Sequence, residues 1–383
     1  MTKLYNTQED ISSNLQKFFK YIFPDISKNH LKILPNIIIG LIDAESVVTT
    51  DITRKLKGDF LNVKFESVER RIRRFLNNTK FNAKDLYDSI IKNIISLFKS
   101  KHSDNRIHIS FDHMFINDKF TTLAFSLRIG KQGIPLWFKS FKGKNDPDAF
   151  SNYLIFEVID YIYNLFKDKN YNLIFLADRW FNNTKIMKYI ESINCTYCIR
   201  IKDNNLVTIS DKPDQIDAPL SIVKPTKHKS KHLFNVPLTY SKHIVNIAIS
   251  TSLNTDDPWY IATNGDPNRA IKDYSYRFGS IECIFKNLKS NGFYLESTAI
   301  KNLQAFSTMF TILNISIIWL TILGCTYSKN KKSATCNVRD TKKIKGSIKR
   351  CISFFNLGLT LFNLAYNSSK NIKLKFDFLL YDI

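Results

Sequence analysis

The chain has 383 residues, 44% hydrophobic and 13% aromatic, with 56 Lys and Arg against 34 Asp and Glu and a formal charge of +22. A chain of this length and apolar content can bury a full core and divide into two or three domains, which excludes a disordered basic tail. The cation excess predicts attraction to a polyanion, and charge alone does not separate nucleic acid from an anionic membrane surface.

Residues 1–100 read as a helical N-terminal domain, with apolar side chains at helical spacing over 15–22 and again over 86–98. Between them, 46–56, a break at Gly58 and the run 67–76 suggest a helix-turn-helix-like arrangement. Arg70, Arg71, Arg73 and Arg74 make the last of these helices a candidate DNA reader. A solvated basic face, packed through Val68, Ile72 and Phe75, explains the same pattern.

From 105 the period changes to two. Strands are expected at 106–115, 120–129 and 135–141, with Gly130 and Gly133 at the second turn. Asn145-Asp-Pro-Asp opens a helix over 150–166. The near-continuous apolar run 172–177 suits a strand buried on both faces and ends at Asp178. A helix over 184–193 and a strand over 196–202 follow. The order β-β-β-α-β-α-β predicts an α/β fold with a ribonuclease H-like core, a mixed sheet flanked by helices, over 105–203 and 265–325. Residues 204–264, with Pro213, Pro219, Pro225, Pro237 and Pro258, read as a β-rich insertion. A helix bearing Glu282 resumes the core at about Asp273, and an apolar helix over 301–324 follows it. Residues 326–383 form a basic C-terminal region. Its stretch 329–350, with Lys342, Lys343, Lys345, Lys349 and Arg350, reads as a mobile or DNA-touching connection before a closing helix over 352–366.

Three acidic residues stand on core elements: Asp112 in the first strand, Asp178 at the end of the fourth, and Glu282 on the helix. Two divalent ions held by hard carboxylate oxygens can activate an attacking oxygen and stabilise a leaving oxygen in phosphoryl transfer. Glu282, Lys286 and Lys289 share one helix face, with Lys289 ~10 Å along the axis, where cations would meet strand phosphates. Metal-assisted chemistry on nucleic acid is the expected activity.

The segment Tyr274-Ser-Tyr-Arg-Phe-Gly-Ser-Ile-Glu-Cys-Ile-Phe-Lys-Asn-Leu-Lys289 resembles the Tyr-Arg-Glu-Lys signature of cut-and-paste DDE transposases from bacterial insertion sequences. The resemblance extends over about 105–325 and includes Asp112 and the second acidic box, Asp178-Arg-Trp-Phe181. It implies a transposase that binds the terminal inverted repeats of its element, cleaves DNA there and transfers the strand into target DNA. The three acids would bind two Mg2+ or Mn2+ ions, and a homodimer would hold two ends in a synaptic complex. Tyr274, Arg277, Lys286 and Lys289 would contact DNA near the cut, and Trp259 would stack on an extruded base, worth about 1–3 kcal/mol, or else serve as a core Trp. Arg179 would bind phosphate or pair with an acid. The family places three residues between its Arg and Glu, whereas four separate Arg277 from Glu282. On a continuous helix the extra residue would rotate Arg277 by about 100 degrees. Gly279 and Ser280 offer a helix start, which would put Arg277 in the preceding loop. The alternative from another class is a catalytically inactive, transposase-derived DNA-binding protein.

Cys195 and Cys198 form a C-x-x-C without a second ligand pair and read as strand residues, not as a zinc site. The 20 residues of 305–324 could match a hydrocarbon core, yet Ser307, Thr308, Thr311, Asn314, Ser316 and Thr321 interrupt them, favouring a buried helix without membrane partnership. With scattered cysteines and no apolar leader a reducing cytoplasm is expected, and the resemblance implies a bacterial, nucleoid-associated place within it.

Overall fold

The computed structural model describes residues 3–5, 8–56, 62–98, 105–209, 216–225, 230–251, 258–290, 292–344, 347–367 and 374–376. Gly58, Pro213 and Lys345 therefore lie outside the described residues. Strand β1 (Lys3–Tyr5) precedes helices α1 (Gln8–Ile22), α2 (Lys28–Ala44), α3 (Thr49–Lys55), α4 (Phe65–Leu76) and α5 (Ala83–Leu97). Ser27 caps α2 through His30 N, and Asn82 caps α5 through Asp85 N, each satisfying a backbone donor left open at a helix start. Helix α4 buries Val68, Ile72, Phe75 and Leu76 while its four arginines stay exposed, so the basic face and the packed face coexist.

Strands β2 (Arg106–Ile116), β3 (Phe120–Ile129) and β4 (Gln132–Lys142) form the antiparallel meander, with Asp112 opposite Ala124 on β3. Helix α6 (Asn152–Phe166) leads to β5 (Asn172–Ala177), which pairs parallel with β2. Every residue of β5 after Asn172 is buried, as its apolar run requires between two strands and two faces. Helix α7 (Thr184–Ser192) then returns the chain to β6 (Thr196–Ile201), parallel to β5 and carrying Cys198 in its buried interior. The order β4-β3-β2-β5-β6 is that of the ribonuclease H-like fold, a large mixed sheet flanked by helices.

Strands β7 (Leu206–Ile209), β8 (Ile216–Pro219), β9 (Lys231–Leu238), β10 (His243–Thr251) and β11 (Pro258–Thr263) continue that same sheet. The junction is β11 against β6, antiparallel, with Tyr260 opposite Ile201. Helix α8 (Pro267–Ser275), capped by Asp266 and opened by Pro267, and helix α9 (Ile281–Lys289) follow.

Helix α10 (Leu303–Lys329) is long and apolar enough to cross a membrane by length and composition, and its apolar window is wholly buried inside the fold. Thr308, Thr311, Asn314 and Ser316 return their side-chain hydrogen atoms to carbonyls one turn back, which lets polar residues lie inside an apolar core. Gln132 joins three elements: Nε2 donates to Thr321 Oγ1 at 2.7 Å, and Oε1 accepts from Phe355 N at 2.9 Å. The basic stretch after α10 differs from a bare connection. Strands β12 (Thr341–Ile344) and β13 (Ser347–Arg350) make a hairpin, and buried Asp340 pairs with Lys331 and faces Arg350. Helix α11 (Phe354–Asn367) packs on α10, and β14 (Leu374–Phe376) pairs with β1.

Candidate active site

The parallel register of β2 and β5 sets Phe111 against Ala177, so the next residues, Asp112 within β2 and Asp178 just past the end of β5, stand side by side. Asp178 Oδ1 accepts from Arg179 N at 2.6 Å and caps the short turn 179–181. Asp112 Oδ1 accepts from His113 N at 2.9 Å. His113 turns the other way, stacking on Phe181 and engaging the carbonyl of Ala149.

Glu282 reaches the site because α8 stops before Arg277. The chain turns over 276–280 and restarts as α9, so Arg277 sits in the loop between two helices. There the guanidinium, its side chain 5% exposed, donates from Nη2 to Asp112 Oδ2 and from Nη1 to Glu282 Oε1, each at 2.5 Å. Its Nε is buried without an acceptor. The α9 start is set against β4 by Gly133, where a Cβ would come within 2.6 Å of the Ser280 carbonyl oxygen.

Burial pushes the Asp112 carboxyl up to about 6, opposed by the Arg277 charge and helped by the nearby charges of Asp178 and Glu282. Burial also raises Glu282, again against the pull of Arg277. Burial disfavours the Arg277 charge, but its carboxylate neighbours outweigh that and hold it above its usual range. The site is therefore rich in carboxylate oxygens with one internal cation among them. Among the described residues, no group of three or more His, Cys, Asp or Glu side chains stands close enough to hold a metal ion. The donor type fits a divalent ion, because three carboxylates with hard oxygens face one guanidinium, which pairs with two of them. An ion shared by Asp112 and Glu282 would compete with the Arg277 guanidinium.

The other expected contacts are distributed unevenly. Lys286 is exposed on α9, while Lys289 pairs with Glu296 at 2.9 Å. Tyr274 is 1% exposed, and Trp259 is half-buried, stacked on Phe278 and edge-on to Tyr274. Arg179 is exposed. Arg70, Arg71, Arg73 and Arg74 stand apart on α4, where Arg73 is engaged by Glu69 at 2.7 Å. Arg71 and Arg74 line a cleft of about 920 Å³ with Lys32, Lys80, His30 and Asn82.

Two arrangements were not legible from sequence. Asp273 is buried and takes Arg106 and His108 of β2, with His108 Nε2 donating to Oδ1 at 2.9 Å, which ties α8 to the strand that carries Asp112. The Arg128 guanidinium carbon lies over Tyr276, 3.3 Å from the ring centroid, a cation–π contact on the turn leading to Arg277. A charged residue in a locally helical run gives no sign of a partner more than a hundred positions away.

Residues 132–319 match the model of a family described as Transposase DDE domain, a span that includes Asp178 and Glu282 and begins after Asp112. No curated protein matches the chain. Among solved structures, it is similar to piggyBac transposase in a synaptic complex with hairpin DNA. That match has 14% identity and a TM-score of 0.45, covering 93% of this chain and 77% of that one. It is also similar to Marinitoga piezophila Argonaute in complex with guide RNA and target DNA. Here identity is 11% and the TM-score 0.25, covering 68% of this chain and 37% of that one.

Proposed function

We propose that this chain, which belongs to the DDE transposases through the domain at 132–319, binds the terminal inverted repeats of its element and catalyses metal-dependent DNA cleavage and strand transfer. One observation carries this reading: Asp112 and Glu282, far apart in sequence, meet on one buried guanidinium beside the strand end that carries Asp178. The family generally uses divalent metal ions, and Asp112, Asp178 and Glu282 would hold Mg2+ or Mn2+ here. Bound ions would supply the charge that activates the attacking oxygen and stabilises the leaving oxygen.

The remaining roles belong to the chain's own side chains. Arg277 keeps Asp112 and Glu282 in place while no other cation is present. Lys286 offers charge to a phosphate beside Glu282, and Arg179 offers it on the other side, next to Asp178. The exposed arginines of α4 and the net charge of +22 favour duplex DNA as partner, with counterion release driving much of the affinity. Two element ends imply a homodimer, and a nucleoid-associated place in a bacterial cytoplasm fits the same partner.

The test is Glu282→Gln, which keeps an acceptor for Arg277 and removes a charged ligand. Cleavage of a terminal-repeat duplex should be lost while a gel shift on that duplex stays within about twofold. Loss of both together would argue against the role given to Glu282. The second reading, a DNA-binding derivative without catalysis, is favoured by Arg277 neutralising two of the acids. It predicts repeat binding without cleavage by the wild type in either metal.

A further inference from the structure

Next to Asp178 the chain presents an open cleft of about 910 Å³. It is lined by Arg179 and Trp180 from the turn after β5, by Lys202, Asn204 and Asn205 from the loop after β6, and by Tyr240 from the loop after β9. Trp180 is 80% exposed and Tyr240 89% exposed. A lone exposed aromatic is ordinary. Two that border one cleft with two cations, no acidic lining residue and a group of amides form a surface of definite chemistry. Each feature matches one part of a nucleotide. Aromatic faces accept a base by stacking, amide groups match the donors and acceptors of its edges, and Arg and Lys match the phosphate.

The base must be unpaired, because inside a duplex its faces are covered by stacked neighbours. Local hydrogen bonding holds the walls in place before any ligand arrives. Asn182 Nδ2 donates to Asn205 Oδ1 at 3.2 Å, and Asn205 Nδ2 donates to the Lys202 carbonyl at 2.9 Å. Trp259, the aromatic expected to stack on a base, already uses one ring face on Phe278. Trp180 is two residues from Asp178 and far more open.

From this placement we infer that the Trp180–Tyr240 cleft is a single-strand subsite, stacking an unpaired base of the DNA strand that leaves the cleavage site. The inference rests on the proposed transposase reading and adds a specific site to it. It predicts that the protein binds a duplex with an unpaired flap more tightly than the same duplex fully paired, and that Trp180 accounts for the difference.

The experiment compares full-length wild type, Trp180→Ala, Trp180→Phe and Tyr240→Ala at one fixed salt concentration. The probes are a fluorescein-labelled duplex bearing an oligo-thymidine flap and the same duplex without it. Trp180→Ala should weaken flap binding roughly 5- to 150-fold and blunt-duplex binding by less than about twofold. Trp180→Phe should recover most of the loss, because a ring face is retained. Equal losses on both probes would reduce the cleft to a general phosphate-binding surface and overturn the inference, as would no loss on either. A Trp180→Ala change in self-association, read by sedimentation with no flap-specific loss, would assign the aromatics to a protein interface instead. If the wild type cleaves repeat DNA in a metal-dependent way while Trp180→Ala keeps its flap affinity, this inference alone falls. If the wild type binds neither probe, the transposase reading falls with it.

Discussion

Arg277 Nη2 lies 2.5 Å from Asp112 Oδ2, joining a loop between two helices to a central strand 165 residues earlier in the chain. The guanidinium balances a carboxylate that burial holds well above its usual range, and it reaches Glu282 with its other amine. Asp112 and Arg277 thus stabilise each other in a place where either charge alone would be costly.

The first prediction concerns that pair. Arg277→Ala should lower stability in EDTA by roughly 3 kcal/mol, the low end for breaking a buried pair, because the Glu282 side chain is 40% exposed. Addition of Mn2+ should restore more stability to the variant than to the wild type, since a competitor for the acids has gone. Thermal unfolding with and without the ion reads both effects. An equal response to Mn2+ in the two proteins would mean that Arg277 and the ion do not share ligands.

The second prediction uses His108, whose imidazole burial holds below its usual range despite the raising effect of Asp273. Above about pH 6.5 both folded and unfolded chains carry it neutral. As the pH falls below that value, the unfolded chain takes a proton that the fold resists, so stability is lost. His108→Gln should flatten part of this acid slope between about pH 6.5 and 5, leaving the part due to His30 and His113, which burial also lowers. Melting temperatures across that window would show it. A slope identical to that of the wild type would contradict the assignment.

The packing of α10 on α11 supplies a third. A Cβ on Gly358 would run into the carbonyl of Leu320, and one on Gly324 into the carbonyl of Phe354. Both obstacles are backbone, which cannot swing aside. Gly358→Ala should therefore cost about 3 kcal/mol, the upper end of ordinary overpacking, measured as a lower denaturant midpoint. A loss below about 1 kcal/mol would show that the helices can separate freely.

Much of the core could be read along the chain because its signals are local. The alternation over Phe120–Ile129 and the apolar run Asn172–Ala177 coincide with β3 and β5, and Asn145-Asp-Pro-Asp does open the turn that leads into α6. Arg277 was legible as a loop residue, through Gly279 and Ser280, but its inward turn was not. Its two partners are brought in by a strand pairing and a helix restart that no local pattern encodes. The same holds for β11, whose pairing with β6 merges the Pro-rich segment into the central sheet. For Trp259 the resemblance implies base stacking, while its contacts with Phe278 and Tyr274 come from a later loop and helix that its own strand gives no sign of.

A fourth prediction separates the arginines of α4. Arg71 and Arg74 border the N-terminal cleft, whereas Arg73 is engaged with Glu69. Replacing Arg71 and Arg74 together by Ala should weaken duplex binding and reduce the salt slope by about 0.9 for each phosphate contact removed. Arg73→Ala should have the smaller effect. Equal effects in a salt titration would place the DNA across the whole basic face of α4.

The central claim is that Asp112, Asp178 and Glu282 form one metal-dependent DNA-cleaving site. Its most direct test is cleavage of a labelled duplex carrying the element's terminal repeat, in Mg2+ or Mn2+ and in EDTA, by the wild type beside Asp112→Ala. The account predicts strand cleavage at the repeat boundary that needs the metal and is absent in the variant. Tight repeat binding with no cleavage in either metal, or cleavage that survives Asp112→Ala, would contradict it.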